Sequence, residues 1–220
     1  MAQFFHKSAN NIARISMVVA VVLGGIAFYV YTQVARSSYI TGQYLEKQQP
    51  VQFSHKHHVG DDGIDCRYCH STVETTASAG MPPTQTCMNC HSQLWLDSPY
   101  LEPVRASFRD NKPLEWERVH DLPEYVYFNH SIHVNKGVGC ASCHGDIANM
   151  ASVYQENTLQ MEWCLSCHRN PNPNIRPKAE IFNTSWNPGD ITAEQQTEVN
   201  EKIKGLRTKE MLTSCSTCHR

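Results

Sequence analysis

The sequence predicts a mainly helical chain with irregular loops and a thin side-chain core, preceded by one apolar helix near the amino terminus. Three observations support this fold class. All ten cysteines fall in five copies of the motif C-x-x-C-H, only 9% of the residues are aromatic, and residues 15–35 form an uncharged apolar run. Folding is driven mainly by the burial of apolar surface. A chain with so few apolar side chains outside that run therefore needs another apolar group in its core.

The five motifs are the most specific feature of the sequence. They read CRYCH at 66–70, CMNCH at 87–91, CASCH at 140–144, CLSCH at 164–168 and CSTCH at 215–219. In such a motif, two thiols form thioether bonds with the vinyl groups of a haem, and the following histidine binds the iron. Zinc sites, redox-active thiol pairs and disulfides are alternatives, but none of them requires a histidine after every second cysteine. We therefore expect five covalent c-type haems, whose porphyrins supply much of the core.

The motifs also assign the residues that hold these haems. The expected thioether residues are Cys66, Cys69, Cys87, Cys90, Cys140, Cys143, Cys164, Cys167, Cys215 and Cys218. The expected proximal iron ligands are His70, His91, His144, His168 and His219. A chain terminus is usually frayed, so we expect the last motif to be held in place by its own haem.

An internal repeat groups four of the motifs into two modules. Residues 53–70 read FSHKHHVGDDGIDCRYCH, and residues 128–144 read FNHSIHVNKGVGCASCH. Each stretch contains F-x-H-x-x-H, a turn with glycine and C-x-x-C-H, and a second C-x-x-C-H motif follows some twenty residues later. We interpret this as a duplicated two-haem module. The expected organisation is a module at 51–95, a connecting arm at 96–125, a module at 126–170, and a linker, helix and single haem at 171–220.

The F-x-H-x-x-H elements contain the candidate distal iron ligands His55, His58, His130 and His133. An electron-transfer haem needs a second axial ligand opposite its proximal histidine. Histidines three positions apart lie on one face of a helical turn, yet they point too differently to bind the same iron. Each is therefore expected to bind a different haem, although ordinary surface or core histidines remain the alternative.

The prediction of the distal ligand of the fifth haem rests on counting histidines. Of the 12 histidines, His57 and His120 remain once the expected ligands and His6, which precedes the apolar run, are set aside. Thioether sulfur is the usual substitute for a second imidazole. Met150, six residues beyond His144, is the first candidate and His120 is the second. In the alternative interpretation, every methionine is core filler and His120 completes the set.

Residues 15–35 have the length of a membrane-spanning helix, since about 20 apolar residues cross the bilayer. A cleaved signal peptide is the alternative, but its apolar region is normally shorter. We expect an uncleaved anchor of the bacterial inner membrane. Lys7 and Arg14 precede the run, which places residues 1–14 in the cytoplasm. Haem attachment and many cysteines belong in an exported compartment, so residues 36–220 are expected in the periplasm.

The remaining sequence offers no catalytic side chains. The net charge of −2 gives no argument for nucleic acid as a partner. Phosphate-binding loops, Ser-His-Asp sets and paired carboxylates are not apparent, so the cofactors carry the chemistry. The arm contains four prolines between residues 97 and 128 without a sustained period, which predicts a segment that lies on a surface. A polar helix is expected at 192–204, with Thr192 and Gln195 in capping-box spacing and Gly205 as its stop.

These features together resemble a known family. The apolar run, the doubled F-x-H-x-x-H units of cytochrome c7 type (a multihaem cytochrome c fold of class III), the five motifs and stretches such as WERVHDLPEYVYFNHSIHV are similar to the pentahaem membrane-anchored cytochrome c subunit of bacterial alternative complex III. The resemblance implies a quinol-oxidising membrane complex. An iron–sulfur subunit would pass electrons through this chain to a periplasmic cytochrome c or a terminal oxidase. The related subunit of quinone-reductase complexes carries six haems, so five motifs favour the first family.

Two other functions stay open from the sequence. One is a stand-alone membrane quinol dehydrogenase, against which the five motifs and the repeat both count. The other is a multihaem reductase, in which one iron lacks a distal ligand and binds substrate. A high-spin haem signal would distinguish the reductase from a pure electron carrier.

Overall fold

The computed structural model of the protein describes residues 4–219, and it divides after Gly42 into two compact units. Residues 1–3 of the expected cytoplasmic segment, and Arg220, lie outside the described residues. The first unit contains helix α1 (Ala9–Arg36) and the short helix α2 (Ser38–Thr41). Among the described residues, α1 is the one helix that is long and apolar enough to cross a membrane, and none of its residues is buried. The helix contains the whole of the apolar run at 15–35.

The second unit is built from short helices and irregular loops. Its α-helices are α3 (Cys66–Cys69), α4 (Thr84–His91), α5 (Glu102–Asp110), α6 (His130–Asn135), α7 (Ala141–His144), α8 (Met161–Arg169), α9 (Ala193–Lys204), α10 (Lys209–Leu212) and α11 (Cys215–Cys218). A wide helical turn at Lys56–Asp61 and five 3₁₀ turns complete the regular structure. Between residues 43 and 219, extended pairing is limited to isolated bridges such as Val138 with Ile175. The predicted mainly helical fold with irregular loops is confirmed.

The apolar side-chain core of the second unit is thin, as the composition predicts. The buried hydrophobic residues described are Val51, Val73, Val104, Val134, Ala148, Met150, Ile175, Ile181 and Val199. Val73 from the first repeat, Val134 from the second and Ile181 from the linker form one cluster. This small cluster joins the two repeats, but it buries little apolar surface for a unit of this size.

The connecting arm contains a helix that the sequence analysis missed. Helix α5 packs against α4, and its buried residues are Val104 and Ser107. The Ser107 hydroxyl shares a 2.7 Å hydrogen bond with the hydroxyl of Thr84 at the start of α4. The expectation of an arm without helical periodicity is therefore wrong for this segment. Two buried positions three residues apart are too short a pattern to indicate a helix in a stretch interrupted by prolines.

The polar helix expected at 192–204 was predicted correctly. Helix α9 begins after Thr192, and the reciprocal hydrogen bonds between Thr192 and Gln195 form the capping box. It ends at Gly205 and buries Val199. Beyond it, the last motif is bonded to the start of the second module, because the Tyr127 N–H donates to the Cys218 carbonyl over 2.8 Å.

Candidate haem-binding site

Each cysteine pair lies within or immediately before a short helix. Helices α3 and α11 consist of the two cysteines and the residues between them, while α4 and α8 carry their pairs in the last two turns. Cys140 directly precedes α7, which contains Cys143. Residues three positions apart share one side of a helical turn. Both thiols of a motif are therefore presented to the same side, as two thioether bonds to one porphyrin require.

Four of the five proximal histidines are oriented by backbone carbonyls. Nδ1 of His70 donates to Gly80 at 2.8 Å, and Nδ1 of His168 donates to Leu212 at 2.8 Å. His219 donates to Tyr125 at 3.0 Å, and His91 donates to Leu94 over a longer 3.3 Å. Carbonyl oxygens only accept, so Nδ1 carries the proton and Nε2 keeps its lone pair. Histidines that bind metals are typically held in this way.

The distal candidates are built alike in the two repeats. Nδ1 of His58 donates to the Ser54 carbonyl, and Nδ1 of His133 donates to the Asn129 carbonyl, four residues earlier in each repeat. Phe53 stacks on His58 with ring centroids 4.5 Å apart, and Phe128 stacks on His133 at 4.6 Å. The same phenylalanines meet His55 and His130 edge-on, at 4.9 and 4.8 Å. The repeat seen in the sequence is therefore a repeat of side-chain geometry.

Three proximal and distal rings face each other at the spacing that one iron would bridge. The ring centroids are 6.1 Å apart for His58 and His91, 6.4 Å for His130 and His144, and 6.1 Å for His133 and His168. A metal–imidazole bond is about 2 Å long, and a ring centre lies about 1 Å beyond its nitrogen. Two imidazoles on opposite sides of one iron therefore have centres about 6 Å apart. The side chains fit a haem iron with two axial histidines.

His55 is the fourth distal candidate, and its surroundings point to His70. Burial lowers the pKa of His55 to about 4, and the nearby imidazole of His70 contributes to the lowering. In the second repeat, the equivalent of His55 is His130, which faces the histidine of the first motif in its own module. The repeat therefore predicts the same relation between His55 and His70.

Burial keeps the central imidazoles neutral, which is the form that binds metals. It lowers the pKa of His144 to about 3, with smaller contributions from His120 and His130. It also lowers the pKa of His133. The Nδ1 atoms of His55 and His144 are buried without a hydrogen-bond partner. A neutral imidazole tolerates this position far better than a charged one.

The two candidates for the fifth distal position lie beside other motifs. Met150 is buried, and its carbonyl accepts a hydrogen bond from the Lys56 N–H, next to His55. The His120 ring lies 4.3 Å from His144, and its Nε2 is buried without a partner. The ring of Tyr125 stacks on His219 at 5.9 Å. The fifth distal ligand stays a prediction.

The cysteine thiols lie close to those of other motifs. Burial raises the pKa of Cys140 to about 11 and that of Cys143 to about 12. A cysteine of another motif adds to the rise in four cases: Cys87 acts on Cys69, Cys66 on Cys140, Cys167 on Cys143, and Cys218 on Cys164. A redox-active pair needs a thiol whose pKa is lowered. Burial of Cys140 and Cys143 has the opposite effect, which argues against redox-active thiols at this motif.

Helical cysteine pairs, each followed by an oriented histidine, and facing imidazoles at the spacing of one iron define a multihaem cytochrome c. The family described as cytochrome c7 and related cytochrome c matches residues 51–97 and 126–220, and the chain belongs to this family. A curated relative is the multihaem cytochrome c subunit of menaquinone reductase from Nitratidesulfovibrio vulgaris (strain Hildenborough). It is 33% identical over 150 residues, which cover 59% of this chain and 71% of the relative.

Membership of this family establishes the coarse function. The protein is a multihaem cytochrome c that transfers electrons and binds c-type haem covalently. The match covers both predicted modules and the carboxy-terminal motif, and it omits the residues of the arm between 97 and 126. These matches do not extend to the resemblance to alternative complex III.

Proposed function

We propose that this chain carries electrons through five covalent c-type haems from a quinol-oxidising membrane complex to a periplasmic cytochrome c or a terminal oxidase, receiving them from an iron–sulfur subunit. The facing histidine pairs at 6.1 to 6.4 Å are the observation that carries the proposal. Each bound haem supplies an iron that accepts and releases one electron. Two imidazoles at one iron leave no open position for a substrate, so the pairs favour an electron carrier over a catalytic reductase.

The proposal gives each side chain a role. The ten motif cysteines form the thioether bonds, and the following histidines are the proximal ligands. The proposed proximal and distal pairs are His70 with His55, His91 with His58, His144 with His130, and His168 with His133. His219 is the proximal ligand of the fifth motif. Met150 and His120 remain the candidates for the fifth distal position, and both lie beside other motifs. The carbonyls that accept from Nδ1 fix the ring planes and make the imidazoles better donors to iron.

The contacts between motifs support one spatial order of the five haem sites. The cysteines link the second motif to the first, the first to the third, the third to the fourth and the fourth to the fifth. His130 also binds the first module directly, because its N–H and its Nδ1 both donate to the Ala77 carbonyl. We propose the linear order second, first, third, fourth, fifth. The second and fifth motifs are then the two ends at which electrons enter and leave.

The membrane helix anchors this arrangement beside the quinol-oxidising partner. We propose that the chain is a single-pass protein of the bacterial inner membrane, with its amino terminus in the cytoplasm and residues 36–220 in the periplasm. The length and composition of α1 support the span. The compartment follows from the chemistry of thioether attachment, which takes place outside the cytoplasm.

The relative favours a second candidate with the opposite direction of flow. That protein is a subunit of a menaquinone reductase. In the second candidate, this chain belongs to a complex that delivers electrons to menaquinone. The two candidates share the haem sites and the anchor. They differ in the direction of electron flow: in the first, quinol reduces the haems, and in the second, the reduced haems reduce quinone.

Purification from native membranes in mild detergent tests the proposal. We expect an iron–sulfur protein to co-purify, and we expect quinol to reduce the haems in the complex but not in the isolated chain. Faster electron transfer from reduced haems to menaquinone than from quinol to the haems would favour the second candidate. Quinol oxidation by the isolated chain would identify a stand-alone dehydrogenase. Turnover of nitrite, tetrathionate or hydroxylamine by the chain alone would overturn the carrier assignment in favour of a reductase.

A further inference from the structure

A buried arginine lies against the third motif. Only 8% of Arg176 is exposed, and its side chain crosses the backbone of Gly139, the residue before Cys140. A Cβ atom at position 139 would stand 2.5 Å from Cδ and 2.6 Å from Cζ of Arg176. Real Cβ atoms do not approach other atoms so closely. The absence of a side chain at Gly139 therefore leaves the space that the Arg176 side chain occupies beside the motif.

The surrounding chain fixes this side chain. Nη1 of Arg176 donates to the Asn183 carbonyl over 2.7 Å, and the guanidinium carbon lies 4.9 Å from the centroid of the Trp186 ring. The Arg176 N–H donates to the Gly137 carbonyl over 2.7 Å, and its own carbonyl accepts from Lys202 Nζ over 3.0 Å. Hydrogen bonds on both sides of the residue hold the guanidinium where it is.

The positive charge at this position is not locked in an ion pair, although burial, which lowers the pKa of Arg176, is partly opposed by the nearby Glu180 carboxylate, which raises it. None of the ion pairs found between residues 4 and 219 includes Arg176. An arginine stays protonated in proteins, so the charge persists. The first motif differs at the equivalent place: Asp65 precedes Cys66 there and forms a two-bond pair with Arg67, at 2.8 and 2.7 Å. The third motif therefore has an arginine without a direct ion pair where the first has an arginine paired with its neighbouring aspartate.

We propose that Arg176 is a fixed positive charge that raises the reduction potential of the haem bound at the third motif. Reduction adds one negative charge to the haem, and a nearby cation stabilises the reduced form. Burial strengthens this interaction, because little water screens it. Net charge and burial around a haem are among the properties by which a protein sets its potential. In the proposed order the third motif is central, so Arg176 favours an electron on the middle haem over one on the first haem.

This inference rests on the proposed function, and its test uses the purified full-length protein with its haems. A potentiometric titration of the visible haem bands is compared between wild type, Arg176→Gln and Arg176→Lys. We expect one component to move to lower potential in Arg176→Gln while the others stay in place. Arg176→Lys keeps the charge and should shift that component much less. Arg207→Gln, which removes an exposed arginine, should shift none.

Two further variants make the result specific. In a chain without the third haem (Cys140→Ser with Cys143→Ser), adding Arg176→Gln should leave the remaining components unmoved. Gly139→Ala retains the charge but displaces the guanidinium, and it should shift the same component as Arg176→Gln. If Arg176→Gln fails to assemble, the comparison of wild type with Gly139→Ala and Arg176→Lys decides the matter. Identical titrations in all variants that hold a full complement of haem would overturn the proposal, as would equal shifts in Gln and Lys variants. A wild-type protein without covalent haem would instead overturn the proposed function.

Discussion

His58 and His133 in the two repeats would each act through a single ring nitrogen, Nε2. The backbone carbonyls of Ser54 and Asn129 hold His58 and His133 with Nε2 directed away from the helical turn. The stacked rings of Phe53 and Phe128 limit rotation of those imidazoles. Because these supports are short-range, each F-x-H-x-x-H element orients its own histidines. Duplication of the element then gave two modules with nearly equal ring distances.

Replacement of one distal histidine is expected to open one iron. His58→Ala should create a high-spin haem signal in the electron paramagnetic resonance spectrum, because the iron opposite His91 loses an axial ligand. Added imidazole should restore the low-spin signal. His57 lies next to it but is half exposed and faces Asp62 at 3.6 Å, so His57→Ala is the matched control and should remain low-spin.

The same variant tests which motif His58 serves. The high-spin signal should disappear when the second motif is removed by Cys87→Ser and Cys90→Ser. It should persist when the first motif is removed by Cys66→Ser and Cys69→Ser. The reverse dependence would contradict the pairing of His58 with His91.

The fifth distal ligand has its own spectroscopic test. Ferric haem with a methionine ligand has a near-infrared charge-transfer band, which two imidazoles do not give. We expect this band in the wild-type protein and expect its loss in Met150→Leu, a substitution that conserves volume and polarity. A wild-type spectrum without the band would point to His120 instead.

Much of the site was accessible to sequence reasoning at this scale, because cysteine and histidine carry the chemistry in their side chains and the motif fixes their spacing. The acceptors of Nδ1 were not accessible, since Gly80, Leu94 and Leu212 act through backbone carbonyls that any residue has. Arg176 was also missed. It lies 36 positions beyond Cys140 in the sequence, and only the fold brings it to the motif.

Among the elements, the short helices that carry the cysteines depend on what they hold. Helices α3, α7 and α11 each have four residues, far below the length at which a helix is stable on its own. Helix α3 has a local cap, the Asp65 carboxylate that accepts from the Arg67 N–H, whereas α7 and α11 have no side-chain cap. Covalent attachment of a haem would replace the apolar packing that they lack.

The carboxy-terminal helix α11 gives the clearest test of this dependence. Cys218→Ser removes one thioether bond of the last motif, and we expect the residues beyond Gly205 to become susceptible to limited proteolysis. The contacts of Cys218 and His219 with the Tyr127 N–H and the Tyr125 carbonyl are only two hydrogen bonds, worth about 1 kcal/mol each. A Ser216→Ala variant, which changes an exposed residue between the two cysteines, is the control. Equal resistance of Cys218→Ser and wild type would contradict the expectation.

The helical content of this chain was predictable where an element has a clear start signal or a long apolar pattern. Helices α1 and α9 have these features, and both were predicted. Helix α5 has neither, because the residue before it, Leu101, has no side chain that can cap the helix. Its position is set by packing on α4, which is a tertiary contact and leaves no local pattern in the sequence.

In the whole molecule, a membrane anchor and an exported haem unit define the topology. A periplasm-active reporter fused to the carboxyl end should be active, and a cytoplasm-active reporter at the same place should be silent. The expectation rests on the charged residues before α1 and on the compartment in which thioether bonds form. A fusion to residue 8 should give the opposite pattern and serves as the control. Reporter activity on the cytoplasmic side at the carboxyl end would contradict this topology.

The linear order of the motifs is a property of the whole fold that the sequence did not indicate. The repeat predicts which motifs share a module, yet it does not predict that the first motif lies beside the third. That contact depends on long-range bonds such as the one between Asn135 and the Glu74 carbonyl, at 2.8 Å. Local patterns carry no information on such pairs.

The central claim is that five covalent haems form the core and carry the function of this chain. The mass of the intact protein, measured after denaturation and extraction with acidified acetone, tests it directly. We expect the mass of the polypeptide plus five haems, because thioether bonds survive the extraction. A haem-to-protein ratio below five in protein matured with the full haem-attachment machinery, or zinc in place of haem, would contradict the account.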